Sequence, residues 1–316
     1  MGATTSRTKV TLLAGGVGAA RLLRGLADVV DPRDLSVIVN TGDDDQFYGL
    51  HISPDIDTIL YTLAGLAPRA RGWGIRGDTH RALRGLERFY GTAWFRLGDE
   101  DLATHLFRSE RMRVGWTLSR CTQAMAQSLG VRVRVLPATD DRLRTIIHTV
   151  RGPLAFQEYL VRLRARPRVT RVTYEGAAKA RPAAGVIEAI ENADVVIVAP
   201  SNPFVSIGPI LAVKGIRAAL RKARTRAVAI SPLVGGRAVK GPLVSMLRGF
   251  GLRPDSKALA NIYAGLVSTL VVAPGDGSST SARRTPRTLE HDILISNRAP
   301  ARRLARFAVA SVAARQ

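Results

Sequence analysis

The hydrophobic positions of the chain fall into short apolar runs separated by longer stretches of helical periodicity. Helical patterns lie between the runs, for example at 19–30 and 205–223. The runs, each bounded by turn residues, predict buried strands at 9–14, 35–39, 131–136, 194–199, 226–231 and 268–273. Because strands that alternate with helices form parallel sheets covered on both faces, the pattern predicts an α/β fold with an open, doubly wound, mostly parallel, Rossmann-like sheet.

The remaining segments complete a single domain over residues 1–316, without repeats or long linkers. Residues 59–127 carry several helical patterns and no clear strand, which predicts a helix-rich cap over the ligand-binding edge of the sheet. We also expect an edge strand at 169–174, a loop at 275–281 and a closing helix at 307–314.

Composition is consistent with a globular protein of the cytoplasm. A chain of 316 residues with 46% hydrophobic content can bury a large core. Cys121 is the single cysteine, so we expect it to be buried and no intramolecular disulfide to form. The first residues lack the apolar core of a signal peptide, and no apolar run reaches the roughly 18 residues of a membrane span.

The formal net charge of +22 indicates an anionic partner. Only six of the 47 basic residues are lysines, and the arginines are spread along the whole chain rather than gathered in a stripe. Aromatic residues, at 5%, are scarce for stacking on bases. We therefore expect an anionic small molecule, and keep a basic nucleic-acid-binding α/β protein as an alternative.

A glycine turn follows the first predicted strand, with Gly15, Gly16 and Gly18 ahead of a helix that is expected to begin near residue 19. Glycines let backbone N–H groups and the helix dipole approach a phosphate closely. The turn does not match the nucleoside-triphosphatase loop. It also departs from the dinucleotide-binding motif, because the chain lacks the third glycine of that motif and has Asn40 where the motif has an acid. It predicts a phosphate site of another type; a turn chosen only for packing is the alternative.

Five carboxylates follow the second predicted strand closely, and they suggest hard oxygen ligands for Mg²⁺ beside the phosphate loop. They are Asp43, Asp44, Asp45, Asp55 and Asp57. The segment from Ser53 also has the pattern of a helix start, with serine as cap, proline in the first position and acids in the first turn. The two interpretations are compatible.

Two more strand ends carry loops suited to ligand binding. Ser201 and Asn202 lie between two prolines after the fourth predicted strand, and Gly235 lies in a glycine-bearing loop after the fifth. In a parallel sheet such loops meet at the carboxyl edge, where ligands bind. The five histidines show no metal-ligand spacing, and we interpret each as a surface or packing residue. Residues 96–105 have the composition of a helix start.

Taken together, these segments resemble the 2-phospho-L-lactate transferase family, which builds the side chain of the deazaflavin coenzyme F(420). The resemblance rests on six stretches in the family order. They are LLAGGVGAARLLRGL (12–26), VNTGDDDQFYGLHISPDIDTILYTLAG (39–65), GWGIRGDTH (72–80), RLGDEDLATH (96–105), APSNPFVSIGPIL (199–211) and AISPLVGGRAVKGP (229–242). The combination of SPDIDT, LGDxDxATH and SNPxxSIGPI is highly specific.

The resemblance implies that the ribityl hydroxyl of 7,8-didemethyl-8-hydroxy-5-deazariboflavin (FO) attacks a guanylylated three-carbon phospho-acid and that GMP leaves. By the family pattern, Asp57 and Arg96 contact FO. As a hypothesis, Asp55 and Asp57 are catalytic, and Asp43 and Asp55 hold Mg²⁺. The guanosine diphosphate side is assigned to Gly15, Gly16, Gly18, Arg21, Asn40, Ser201, Asn202 and Gly235.

The chain departs from the family at Arg21, where other members carry lysine, so the phosphate contact there changes from a point charge to a planar fork. The family also implies a homodimer. The sequence does not select among phospholactate, phosphoenolpyruvate and 3-phosphoglycerate as the acid. A non-enzymatic, nucleotide-sugar-binding regulator of the related gluconeogenesis-factor branch is a further alternative, although that branch lacks SPDIDT and LGDxDxATH together.

Overall fold

The structure, a computed structural model, describes residues 7–277 and 284–313. Its strands are β1 (Val10–Ala14), β2 (Leu35–Val39), β3 (Asp45–Phe47), β4 (Leu50–Ile52), β5 (Arg134–Pro137), β6 (Arg144–Thr149), β7 (Gly152–Ala155), β8 (Val169–Glu175), β9 (Val195–Val198), β10 (Ala227–Ile230), β11 (Leu233–Val234), β12 (Arg237–Ala238), β13 (Thr269–Val272) and β14 (Arg287–Glu290). Its helices are α1 (Gly16–Leu26), α2 (Pro54–Leu63), α3 (Arg81–Tyr90), α4 (Asp99–Arg113), α5 (Leu118–Ser128), α6 (Val186–Glu191), α7 (Ile207–Ala212), α8 (Ile216–Lys222), α9 (Leu243–Gly249), α10 (Ser256–Ile262) and α11 (Arg298–Ala313).

Seven strands form one parallel sheet in the order β14-β13-β10-β9-β1-β2-β5. The six strands predicted from apolar runs are all present, and the predicted doubly wound α/β fold is confirmed. The seventh, β14, was not predicted because it lies at the sheet edge with its two outer residues exposed and has no apolar run.

Both faces of the sheet are covered, because successive side chains of a strand point to opposite faces. Leu12 and Ala14 of β1 pack in a core with α1, α2, α5 and α11, whereas Leu13 packs in a second core with helices α6 to α10. All five residues of β1 are buried, which explains why its sequence is continuously apolar rather than alternating.

Two predicted helices have different bounds in the structure. The helix expected at 19–30 begins at Gly16 and ends at Leu26. The helix expected over 205–223 is two helices, α7 and α8, because Gly215 adopts a left-handed conformation with φ +88° that interrupts the helical path. The closing helix is confirmed as α11, which begins earlier than expected, at Arg298.

Other expectations concern the middle and the end of the chain. The expected edge strand at 169–174 is confirmed as β8, which pairs antiparallel with the unpredicted β6 at one edge of a separate three-stranded sheet, β7-β6-β8. Between residues 59 and 127 the structure has helices and no strand. Of the loop expected at 275–281, residues 275–277 form no regular element, and 278–281 lie outside the described residues.

The strand order reverses direction between β1 and β9. From β1 the chain continues to β2 and β5 on one side, whereas β9, β10, β13 and β14 lie on the other. In open α/β sheets the ligand crevice opens at the carboxyl ends of the strands at such a reversal. No helix within the described residues combines the length and apolarity needed to cross a membrane.

Candidate functional site

A cavity of about 610 Å³ opens at the carboxyl ends of β1 and β9, where the strand order reverses. Most of the residues assigned to the site from the sequence line it. They are Gly15, Gly16, Gly18, Arg21, Asp43, Asp55, Asp57, Arg96, Ser201 and Asn202. Asn40 and Gly235 do not line it, although other residues of the same two loops, such as Asp43 and Ser231, do.

The glycine turn is tight because α1 starts almost immediately after β1. Gly16 has φ +73°, a conformation that residues with a Cβ rarely adopt. A Cβ on Gly18 would lie 2.5 Å from the carbonyl oxygen of Pro200, which follows β9. Packing therefore explains Gly18, while the start of α1, residues 15–18, lines the cavity, as a phosphate site at a helix N-terminus requires.

A carboxylate already lies at the start of α1. The Gly16 N–H donates to Asp55 Oδ1 at 2.7 Å. The Ser201 hydroxyl donates to the carbonyl oxygen of Gly15 at 2.7 Å, which ties the loop after β9 to the glycine turn. Asp55 comes from the first turn of α2, whose start at Pro54, after Ser53, is as predicted.

Asn40 holds Asp55 from behind instead of facing the cavity. Its Nδ2 donates to Asp55 Oδ2 at 2.9 Å, and its Oδ1 accepts from the Gly42 N–H at 2.8 Å. The sequence assigned Asn40 to a phosphate contact. In the structure Asn40 is fully buried and does not line the cavity. An acid at this position, as in dinucleotide-binding proteins, would face Asp55 with a second negative charge.

Asp43 and Asp55 are a pair of buried carboxyl groups with uncompensated charge. Burial and the neighbouring Asp55 raise the pKa of Asp43 well above its usual range. Burial also raises the pKa of Asp55 to about 6, although the hydrogen bonds from Asn40 and Gly16 oppose the shift. Asp43 Oδ1 is buried without a hydrogen-bond partner among the described residues. Such a pair favours protons or a cation between its oxygens.

The other two carboxylates of the cluster are engaged elsewhere. Asp44 accepts a hydrogen bond from the Ser53 hydroxyl at 2.7 Å and lies 3.2 Å from His51 Nε2. Asp45, the first residue of β3, pairs with Arg144 of β6 at 3.1 Å, and this ion pair attaches the three-stranded sheet β7-β6-β8 to β3. Neither lines the cavity, so two of the five carboxylates have a structural role.

Asp57 takes part in a buried polar network that the sequence analysis missed. Arg108 of α4, which is fully buried, donates through both terminal nitrogens to the two oxygens of Asp57. His105 lies between two carboxylates, 3.6 Å from Asp57 Oδ2 and 3.3 Å from Asp101 Oδ1. The Tyr61 hydroxyl donates to Asp101 at 2.6 Å.

Both carboxylates of this network have polar partners within it. Burial opposes ionisation of Asp101, but His105 and Tyr61 together hold the pKa of this carboxyl below its usual value. Burial and the negative charge of Asp57 raise the pKa of Tyr61, which stays a hydrogen-bond donor. A signal was present in the sequence, since Asp101, His105 and Arg108 recur at helical spacing on one face of α4. His105 is thus a member of the site rather than only a packing residue.

Two groups of side chains could hold a cation. Asp57, Asp101 and His105 each offer a ligand atom within 4.8 Å of the others. Asp57, however, is already paired with Arg108, and Asp101 accepts a hydrogen bond from the Tyr61 hydroxyl. Asp43 and Asp55 offer carboxylate oxygens, the ligands that Mg²⁺ prefers, and one of those oxygens has no other partner in the described structure. The donor chemistry therefore fits Mg²⁺ better at Asp43 and Asp55.

The far end of the cavity is aromatic. Trp94, Phe95 and the exposed Arg96 line it just before α4. Phe95 stacks on Phe47 of β3 with ring centroids 4.1 Å apart and an interplanar angle of 5°, and Trp94 packs edge-on against the same ring. This wall offers a flat apolar surface next to a cation, and it suits a planar ring system with polar edges.

Gly235 lies in the turn between β11 and β12, outside this cavity. Its N–H donates to Asp276 Oδ2 at 2.8 Å, so the group that was assigned to a phosphate already has an acceptor. The neighbouring Ser231 and Gly236 line a smaller cavity of about 210 Å³, and Ser231 lines the main cavity as well.

Comparison with known proteins identifies the family of the chain. The family model described as 2-phospho-L-lactate transferase CofD matches residues 10–306. The phosphoenolpyruvate transferase of Kitasatospora aureofaciens is 44% identical over 262 residues, covering 81% of this chain and 81% of that protein. The phosphoenolpyruvate transferase of Streptomyces coelicolor is 41% identical over 287 residues, covering 89% of this chain and 90% of that protein.

Solved structures agree with the fold. A UPF0052 family protein from Bacillus halodurans superimposes with a TM-score of 0.60 at 19% identity, covering 96% of this chain and 99% of that one. The match to the family model over nearly the whole chain, with relatives above 40% identity, carries the assignment. The chain belongs to the 2-phospho-L-lactate transferase CofD family and is an enzyme that transfers a phospho-acid group.

Proposed function

We propose that this enzyme transfers a three-carbon phospho-acid from a guanosine diphosphate-linked donor to FO, with release of GMP, in coenzyme F(420) biosynthesis. The observation that carries the proposal is the convergence of a glycine turn, two uncompensated carboxyl groups and an aromatic wall in one cavity. The names of the relatives from Kitasatospora aureofaciens and Streptomyces coelicolor favour phosphoenolpyruvate, over 2-phospho-L-lactate, as the acid.

The donor lies along the glycine turn in this proposal. The start of α1 and the residues Arg21 and Asn202 line the cavity, and in this proposal both side chains bind the diphosphate together with first-turn N–H groups of α1 other than that of Gly16, which donates to Asp55. Ser201 supports the turn through its bond to the Gly15 carbonyl. The FO ring lies against Trp94 and Phe95, beside Arg96, so that its ribityl chain runs toward the carboxylates.

In the transfer step the ribityl hydroxyl oxygen attacks the phosphorus of the phospho-acid, the bond to the bridging oxygen breaks, and GMP leaves with that oxygen. The proton of the hydroxyl passes to a carboxylate of the site, for which we propose Asp57. Arg108 fixes both oxygens of Asp57, so the carboxylate has one orientation. Asp55, with a pKa of about 6 in the absence of a cation, is the second candidate, and it takes this role only when it does not hold Mg²⁺.

We propose that Asp43 and Asp55 hold Mg²⁺, because their pKa values are raised and one Asp43 oxygen has no partner among the described residues. When bound, the cation supplies positive charge to the phosphoryl oxygens. We further propose that residues 59–127, which contribute Trp94, Arg96 and Asp101, form a helical cap over the cavity. A homodimer in the cytoplasm completes the proposal.

The direct test combines the protein with FO, Mg²⁺ and one guanylylated acid at a time, and follows products by mass spectrometry. We expect GMP and the esterified deazaflavin in equal amounts, with the phosphoenolpyruvate-linked donor as the best substrate. Absence of product with the phosphoenolpyruvate, phospholactate and phosphoglycerate donors contradicts the proposal.

A variant pair tests the role of Asp57. Asp57→Asn removes the negative charge that faces the cavity, and we expect turnover to fall at least about 100-fold, the usual scale for loss of acid-base catalysis. Asp45→Asn is the matched control, because Asp45 pairs with Arg144 outside the cavity, and it is expected to keep full turnover. FO affinity is measured by its fluorescence. Unchanged turnover and FO affinity in Asp57→Asn contradict the assignment.

A further inference from the structure

Lys240 lines the cavity that holds the glycine turn. It follows β12, is solvent-exposed, and lines the cavity together with Val239 and Gly241. Arg21 lines the same cavity from α1, one turn after Gly18. Two cationic side chains from different parts of the chain thus line one cavity beside the glycine turn.

Neither cation has an acidic partner among residues 7–277 and 284–313. The two side chains instead donate to consecutive backbone carbonyl oxygens. Lys240 Nζ donates to the carbonyl of Arg71 at 3.1 Å, and Arg21 Nη2 donates to the carbonyl of Ala70 at 3.1 Å. Neighbouring carbonyl oxygens have the spacing and acceptor character of the oxygens of an anion, but no net charge to offset two cations.

The two positive charges repel each other. Partial burial, together with the positive charge of Arg21, lowers the pKa of Lys240. The fold also keeps the pair close together, because a Cβ on Gly72 would lie 2.5 Å from Val17 of α1, so residues 70–72 pack directly on the glycine turn. A bound anion with two or more oxygens offsets this repulsion, and the start of α1 lines the same cavity.

We propose that Lys240 and Arg21 form a two-cation subsite for the phosphate oxygens of the guanosine diphosphate moiety, with Lys240 the determinant of donor affinity. The proposal rests on the proposed function for the identity of the donor. A diphosphate fits because it presents several anionic oxygens that can bind two neighbouring cationic side chains. FO, which carries no phosphate, gains nothing from this subsite.

The test measures GDP binding by isothermal titration calorimetry with Mg²⁺ present. Lys240→Met removes one charge-assisted hydrogen bond, so the dissociation constant for GDP is expected to rise about 10- to 100-fold. Lys222→Met is the matched control, because Lys222 lies on α8 with its side chain 77% exposed and pairs with Glu191. Lys240→Arg, which keeps the charge, is expected to recover most of the affinity.

In the transfer assay the KM for the donor should rise by the same factor in Lys240→Met, while kcat and the KM for FO stay within about twofold. Lys240→Gln retains a donor for the Arg71 carbonyl and serves if the methionine variant loses its cooperative melting transition. GDP affinity that is unchanged in both variants overturns the inference. Because the binding assay contains no FO, GDP binding that depends on Lys240 without any transfer overturns the proposed function alone.

Discussion

Replacing Asp55 with asparagine should change how the stability of the protein depends on pH. Asp55 is buried, and burial raises its pKa from 3.8 to about 6. For an acid with a raised pKa, the protonated form stabilises the fold. The contribution is fully present below pH 3.8 and is lost as the pH rises through about 6.

The size of the effect follows from the shift. About 2 pKa units correspond to about 3 kcal/mol over the full range, of which about 1.4 kcal/mol is lost between pH 5 and pH 8. Asp55→Asn removes this loss. Because the charge of Asp55 also raises the pKa of Asp43, the variant lowers the pKa of Asp43 toward its usual value as well. The variant places an amide against Asn40 Nδ2, which costs about 1 kcal/mol at every pH.

The assay is urea unfolding in EDTA, followed by tryptophan fluorescence at pH 5 and pH 8. The free energy of unfolding of Asp55→Asn minus that of the wild type should be at least about 1.4 kcal/mol more positive at pH 8 than at pH 5, which means that the variant gains stability relative to the wild type. Asp45→Asn, a partly exposed carboxylate paired with Arg144, is expected to shift by less than about 0.5 kcal/mol. Equal differences for Asp55→Asn at the two pH values refute the reasoning.

Three more outcomes can be measured on the same protein. Arg108→Met leaves Asp57 buried without its partner and should lower the free energy of unfolding by about 3–5 kcal/mol in urea, whereas Arg111→Met, at a half-exposed position of the same helix, should change it by less than about 1 kcal/mol. Gly18→Ala forces a Cβ onto a backbone carbonyl and should lower the free energy of unfolding by about 1–3 kcal/mol. Gly85→Ala, in open space within α3, should raise it by about 0.5–1 kcal/mol. A higher melting temperature for Gly18→Ala than for Gly85→Ala contradicts the packing argument. Mg²⁺ should raise the melting temperature more at pH 8 than at pH 5, because it competes with protons for the carboxylates. A rise in Asp43→Asn as large as that in the wild type excludes the proposed ligands.

The sequence could predict those strands and helices whose hydrophobic pattern lies within the element itself. A strand buried on both faces is apolar nearly throughout, so the interior strands of the main sheet were visible as short runs, whereas the edge strand β5 was visible from apolar residues that alternate with arginines at 131–136. The edge strand β14 and the hairpin of β6 and β7 are partly exposed, and their sequences carry no such run. Gly215 shows the same limit for helices, because one left-handed residue divides an otherwise continuous helical pattern.

The sequence by itself determined the α/β fold, the glycine turn, the carboxylates that follow β2 and the loops at the strand ends, because each depends on neighbouring residues. The tertiary structure decided what these groups contact. Asp57 meets Arg108 across 51 residues, and Lys240 meets the carbonyl of Arg71 across 169. It also placed Asn40 behind Asp55 and Gly235 outside the main cavity. Burial and charge pairing set the chemistry of a carboxylate, and both are properties of packing between distant segments.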